Sequence, residues 1–235
     1  RRHTRYGTVT GVQTCALPIC PSVLEGIHDL EFDRDDRVHG CGASDMKGGL
    51  AVMIGIIPDS FTALLEVATS AIAANDMLVM SAGSSVSVRD VTVDVINQLG
   101  APGVLFHGVA TRPGKPTIAG VVGKKPVLSL PGNPVSAMVQ FAMFGAPAIQ
   151  RLQGLRAPTR RGMVWARISQ NLASESGRED YVPAKLEETA EGLEAVPVFG
   201  KSNLIYTLVK ADGLLKVPLN KAGLVAGEWV EVQLF

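Results

Sequence analysis

The feature that most constrains this chain is the run at residues 127–137, Val-Leu-Ser-Leu-Pro-Gly-Asn-Pro-Val-Ser-Ala. A short apolar strand enters a Pro-Gly turn, Asn133 takes a helix N-cap position and Pro134 the first helical position. Asn is among the best N-caps, and Pro is favoured next because its missing N–H would be unpaired there anyway. The spacing predicts a strand over 127–130 and one long apolar helix over 133–152. Free N–H groups at a helix start, beside the carboxyl end of a strand, favour an anion. The same run also serves simply as a well-made strand-to-helix turn.

Strands and helices alternate before it. Ile54-Gly-Ile-Ile-Pro-Asp-Ser reads as strand, turn and cap, with Asp59 or Ser60 able to cap a helix carrying Phe61, Leu64, Leu65, Ala68 and Ile72 on one face. A buried strand over 77–80 runs into Ser81-Ala-Gly-Ser-Ser-Val-Ser, and a second helix is expected over 90–99. Strands over 104–111 and 117–122 are joined by Arg112-Pro-Gly-Lys-Pro. Such alternation argues for an α/β fold with a parallel sheet. Past Gly154 the pattern changes. A short basic, Pro-containing linker (156–161) leads to five short strands, at 163–168, 181–186, 193–198, 214–217 and 228–234, with one helix over 202–209. That pattern predicts a small β-barrel or sandwich over 159–235, the part expected to fold alone.

Lys plus Arg and Asp plus Glu both number 22, so the net charge is zero and no basic footprint for nucleic acid exists. No run of 18 apolar residues predicts a membrane span. Cys15, Cys20 and Cys41 cluster in the first 41 residues, an odd set without disulfide or metal spacing, which points to a reducing, cytoplasmic setting.

Three loops are expected at neighbouring strand ends: the hydroxyl-rich 81–90, the stiff Arg112-Pro-Gly-Lys-Pro with two cations, and Pro131-Gly-Asn-Pro. Together they offer backbone N–H groups, Ser and Asn side chains, two positive charges and the Asp90 carboxylate, a set suited to a phosphate-bearing ligand. Taken singly each has a plainer reading, with Asp90 as a helix N-cap, Lys115 as a solvated turn charge and Gly83 as turn geometry.

The N-terminal residues differ in character. Residues 9–19, Val-Thr-Gly-Val-Gln-Thr-Cys-Ala-Leu-Pro-Ile, resemble a translated sequencing adaptor, so 1–20 are assigned no domain. Residues 25–53, with Gly-Ala-Ser-Asp-Met-Lys-Gly-Gly at 42–49, resemble a fragment of the zinc aminoacylase and deacylase family. Asp45 matches that family's metal-bridging aspartate, and Cys41 stands at its usual arginine. The other ligands have no counterpart, and one carboxylate cannot hold two zinc ions, so no metal site is assigned.

Residues 54–235 resemble the C-terminal half of the molybdopterin molybdenumtransferases of the MoeA and gephyrin type. Gly55-Ile-Ile-Pro-Asp, residues 81–90, His107-Gly-Val-Ala-Thr-Arg-Pro-Gly-Lys-Pro, Leu130-Pro-Gly-Asn-Pro-Val-Ser-Ala, Gly177-Arg178, Gly200-Lys-Ser and Lys210-Ala-Asp-Gly-Leu carry the resemblance. It implies a partial three-layer domain over 54–154, a mostly parallel sheet with helices on both faces, then a C-terminal β-barrel over 159–235. It also implies insertion of molybdate into adenylylated molybdopterin with release of AMP, dependent on Mg²⁺. Ser81, Gly83, Ser84 and Ser85 would line the pterin-nucleotide phosphate site, with Asp90 and Lys115 catalytic. Arg112, Gly114, Pro131, Gly132, Asn133, Pro134, Ser136 and Arg178 would complete the pocket. A non-catalytic molybdopterin- or nucleotide-binding module is the alternative. The three dissimilar stretches make the chain an expected chimera, and because the family's first strand and its dimer-forming N-terminal domains have no counterpart, it is expected to be inactive or weakly active.

Overall fold

The computed structural model describes residues 31–32, 38–39, 60–82, 86–155, 162–200 and 205–235. The adaptor-like residues 9–19, Asp45, and Gly83, Ser84 and Ser85 lie outside them. Two short strands, β1 (Glu31–Phe32) and β2 (Val38–His39), pair antiparallel.

A four-stranded sheet forms the first unit, from β3 (Leu78–Ala82), β4 (Pro102–His107), β6 (Ile118–Val122) and β7 (Lys125–Pro131). Its order is β3-β7-β6-β4. β3 and β7 run parallel, while β6 is antiparallel to both its neighbours, so β4 shares the direction of β3 and β7. The sheet is therefore mixed, three strands one way and one the other. The reversal is local: β6 and β7 are joined by a two-residue turn, Gly123-Lys124, which can only make an antiparallel pair.

Alternation along β7 divides the core between the two faces. Val127, with Leu78 and Ile118, packs under α1 (Phe61–Ala74) and α2 (Val86–Leu99), where Ala68, Ile72, Val95 and Ile96 are buried. Leu128 and Leu130 face the other way, onto Ala137, Phe141 and Phe144. Helices thus cover both faces, as the three-layer expectation requires. Ser60 caps α1 by accepting a hydrogen bond from Ala63 N–H at 3.2 Å. At its other end Lys125 donates to the carbonyls of Ile72 (2.7 Å) and Ala73 (3.3 Å), which α1 itself leaves unpaired.

Two expected helices begin or run differently. α2 starts at Val86, so Asp90 is its fifth residue and does not cap it. The β-branched Val86 and Val88 and the Ser87 between them, all weak helix formers, hid that first turn. The long helix after Asn133 is broken into α3 (Pro134–Gln140), a π-helical turn (Phe141–Gly145) and α4 (Ala146–Leu152). Pro147 is the reason: it lacks an N–H and its ring crowds the carbonyl four residues back, so the preceding turn widens.

The second unit is a closed barrel of β8 (Met163–Ile168), β10 (Glu179–Thr189), β11 (Gly192–Pro197), β12 (Gly213–Val217) and β14 (Trp229–Leu234). β11 pairs with both β8 and β10, and the ring runs β10-β11-β8-β14-β12 back to β10. Eleven-residue β10 makes this possible by pairing with β12 through its first half and β11 through its second. Ala166, Ala184 and Ala195 are fully buried inside, small enough for so narrow a ring, with Leu215, Val217 and Val232 filling the rest. β9 (Leu172–Ala173) and β13 (Gly223–Leu224) form a separate ribbon, too short to show in the sequence pattern. The short helix α5 (Tyr206–Val209) buries Leu208.

The barrel is not a separate bead. β5 (Thr111–Arg112), from the first unit, pairs parallel with Glu179 and Asp180 of β10. On its side away from the sheet, α3 packs Val135 and Val139 against Tyr181, Leu208 and Leu214. With one face on the sheet and another on the barrel, α3 is apolar nearly all round.

Candidate functional site

Ser81 and Ala82 of β3 lie beside Leu130 and Pro131 of β7, and both strands end there. Ser129 of β7 is beside Ile118 of β6, which in turn faces His107 at the end of β4. The carboxyl ends of β3, β7 and β4 therefore share one edge of the sheet, which the chain leaves after Ala82, Pro131 and His107. This is the edge where ligands bind in open α/β sheets. Ser81 is exposed; Asn133 has extended backbone at the cap position but makes no side-chain cap hydrogen bond, and Pro134 follows as expected. Ser136 is buried one turn into α3.

The cationic loop is held from within and from outside. Val109 N–H donates to Lys115 C=O (2.9 Å), and Thr117 sends both its N–H (3.1 Å) and its hydroxyl (2.7 Å) to Gly114 C=O. Gly114 has φ +111°, a conformation L side chains rarely adopt, and a Cβ there would run into Gln140. Gln140 is completely buried, and its amide donates to Thr111 Oγ1 (3.0 Å) and Pro113 C=O (2.9 Å). Lys115 remains exposed and makes no ion pair among the described residues.

Arg112 and Arg178 come from different units yet meet on one carboxylate. Arg178 Nε donates to Asp180 Oδ1 at 2.9 Å, and its Nη1 to Glu175 Oε2 at 2.7 Å. Arg112 Nη1 lies 3.7 Å from Asp180 Oδ2, too long for a hydrogen bond. The Asp180 side chain is 4% exposed, that of Arg178 26% and that of Arg112 64%. Arg178 is thus committed to Asp180, whereas Arg112 keeps most of its guanidinium in water beside Lys115. Next to this cluster, Glu179 pairs with Lys216 (2.6 Å) and accepts from the Tyr181 hydroxyl (2.8 Å). Burial pushes the Glu179 carboxyl up, but the Lys216 and Tyr181 hydrogen bonds and the Lys216 charge outweigh it and hold it below the usual range. Burial, then the Glu179 carboxylate, lifts the Tyr181 phenol well above its usual range.

The structure therefore brings Ser81, Pro131, Gly132, Asn133 and Pro134 to one sheet edge, with Arg112, Gly114, Lys115 and Arg178 forming a cationic group linked to it through α3. Gly83, Ser84 and Ser85 lie outside the described residues, and Asp90 is located only as a position in α2. Sequence reading missed Gln140 and Asp180. Asp180 had a signal: a charged residue in register with Val182 and Ala184, on the inward-facing side of a strand, needs a buried partner. Gln140 had none beyond its place in an apolar helix.

Among the described residues no three His, Cys, Asp or Glu side chains converge as a metal site. Asp180, the carboxylate paired with the cationic loop, is already engaged by two arginines. The described residues do not fit a magnesium centre. No helix among them is long and apolar enough to cross a membrane.

A mixed-sheet α/β domain with cation-bearing loops at its carboxyl edge, joined to a closed five-stranded barrel, defines the class of protein. Residues 42–151 match the family described as "Probable molybdopterin binding domain", and 158–235 match the MoeA C-terminal region (domain IV). The chain is thus a MoeA-type molybdopterin-binding domain followed by a MoeA C-terminal domain. It is 38% identical over 221 residues to a protein named for molybdopterin biosynthesis in Methanocaldococcus jannaschii, covering 90% of this chain and 52% of that one. It is 33% identical over 193 residues to the molybdopterin molybdenumtransferase of a Nostoc species, covering 79% and 44%. The solved molybdopterin biosynthesis MoeA protein of Pyrococcus horikosii superposes with a TM-score of 0.63 at 35% identity, covering 77% and 42%. The chain spans about half the length of the curated relatives it matches. The first family match begins at residue 42, twelve residues before the boundary read at Ile54, and neither matched family is a zinc deacylase.

Proposed function

We propose that this chain acts in molybdenum cofactor biosynthesis, holding the phosphate groups of a pterin nucleotide at the carboxyl edge of its sheet while molybdate is inserted and AMP is released. One observation supports the reading: β3, β4 and β7 end on one edge of the sheet, and the loop that follows β4 carries the exposed Lys115 and the largely solvated Arg112. An unpaired Lys115 and a largely solvated Arg112 on a stiff loop fit the charge that builds up on phosphate as AMP leaves, and a loop already ordered needs no rearrangement to meet it. Asp180 and Arg178 brace that loop from the barrel, Ser81 and Asn133 offer neutral hydrogen bonds, and Pro131 and Pro134 stiffen the wall between them. Relatives named molybdopterin molybdenumtransferase support the substrate assignment.

The test is to supply adenylylated molybdopterin and molybdate to this chain and measure AMP. Turnover that Lys115→Ala lowers at least tenfold, the scale of one lost charge-stabilising donor, supports the transferase reading. Binding without AMP marks the chain as a non-catalytic binding module. Absence of both binding and AMP overturns the assignment.

A further inference from the structure

We propose that Gln140 is a positioning residue that sets where Arg112 and Lys115 stand relative to the 131–134 turn; the inference rests on the anion-binding reading above. Gln140 ends α3, and that helix begins at Pro134, directly after the turn. Six residues at the helical rise place the two ends about 9 Å apart along a rigid axis. The Gln140 amide donates to the Thr111 hydroxyl and to the carbonyl of Pro113, the residue between Arg112 and Gly114, with only a long 3.9 Å contact to the Met143 sulfur besides. Gly114 closes against the same side chain so tightly that no larger residue fits. The three contacts flank Arg112 on both sides and end one residue before Lys115.

A second observation argues against a mere packing role. Gln140 Oε1 is buried without any hydrogen-bond partner. Such an oxygen costs free energy that a methionine of similar length would avoid. The position keeps a polar donor despite that cost, and what the donor reaches is the loop backbone. The residue that would replace it most economically for stability alone would leave the Pro113 carbonyl and Thr111 hydroxyl unheld.

The experiment uses the full chain, inorganic pyrophosphate as probe, titration calorimetry at several salt concentrations, and a separate measurement of folding by circular dichroism. Gln140→Met is expected to weaken pyrophosphate binding about tenfold through misplacement of the loop, and Thr111→Val, which removes one of the two holds, by less. In both variants the salt dependence stays that of the parent, because no charge has been removed; Arg112→Ala and Lys115→Ala each flatten it. General destabilisation would lower the melting temperature without moving the affinity of the folded protein. Should Gln140→Met not fold, Thr111→Val carries the test. Parent-like affinity in a folded Gln140→Met, or in Thr111→Val where that variant is the test, overturns the positioning role and leaves the anion site standing. Pyrophosphate affinity that Arg112→Ala and Lys115→Ala leave unchanged, or no binding at all, overturns the site and this inference with it.

Discussion

Alanine at Arg178 and alanine at Arg112 each take a guanidinium from the same carboxylate, yet the geometry assigns them different costs. Arg178 is three-quarters shielded and holds Asp180, itself 4% exposed, at 2.9 Å. Removing it leaves a buried carboxylate facing only a solvated arginine at 3.7 Å. A charge-assisted hydrogen bond in such a setting contributes about 1.5–3 kcal/mol. The exposed contact with Glu175 adds less than about 1 kcal/mol. Arg178→Ala is therefore expected to cost about 2–3 kcal/mol, and Arg112→Ala, 64% exposed and beyond hydrogen-bond distance, less than about 1 kcal/mol. For a chain of this length these translate to melting shifts of roughly 4–12 °C and under about 4 °C. The assay is urea denaturation of both single variants, Asp180→Ala, and the two double variants. The two tryptophans, Trp165 and Trp229, both sit on the barrel and report its unfolding. The coupling of Asp180 to Arg178 should exceed its coupling to Arg112 at least twofold. Equal couplings, or a larger one to Arg112, would refute the division into a bracing arginine and a ligand-facing one.

Two further outcomes follow from the same surface. Glu179 is held below its unfolded value, so its contribution is present above about pH 4.5 and is lost as pH falls through the folded value; Glu179→Gln should flatten the acid limb of the stability profile. Tyr181 is shifted the other way, so its contribution is present below about pH 10 and falls as the unfolded phenol ionises above that; Tyr181→Phe should flatten the alkaline limb, read in the same denaturation series. At the far end of the sheet, Lys125→Met should cost about 1 kcal/mol by freeing the last carbonyls of α1, measurable as faster amide exchange at residues 72–75. Unchanged exchange there would remove the capping role.

Much of the fold was legible because period and punctuation agreed. Ser60, Pro134 and the 127–130 strand carried their own local signals, and the barrel strands alternate cleanly around alanines and valines. What was not legible depended on partners distant in sequence. The reversal of β6 hinges on a two-residue turn that two short apolar runs do not announce, and β5, at two residues, exists only because β10 lies beside it. The break after Gln140 was written in Pro147, but the apolar pattern runs straight through it. At the site, the loops could be named from composition, whereas the meeting of Arg112 and Arg178 on Asp180 is a product of docking two units, and its one trace in the sequence is the inward register of Asp180.

The two-residue strand β5 also changes what a cut in the linker would accomplish. A barrel released at residues 156–161 would leave behind Thr111 and Arg112, along with the α3 face that covers Tyr181, Leu208 and Leu214. The excised piece would carry a fresh sticky flank on β10 and a bare greasy patch beside it, the combination that drives chains to stick to one another. Nicking the linker while both halves stay together should do neither. The halves therefore cover one another, and what their contact protects is lost by separating them, not by breaking the chain between them.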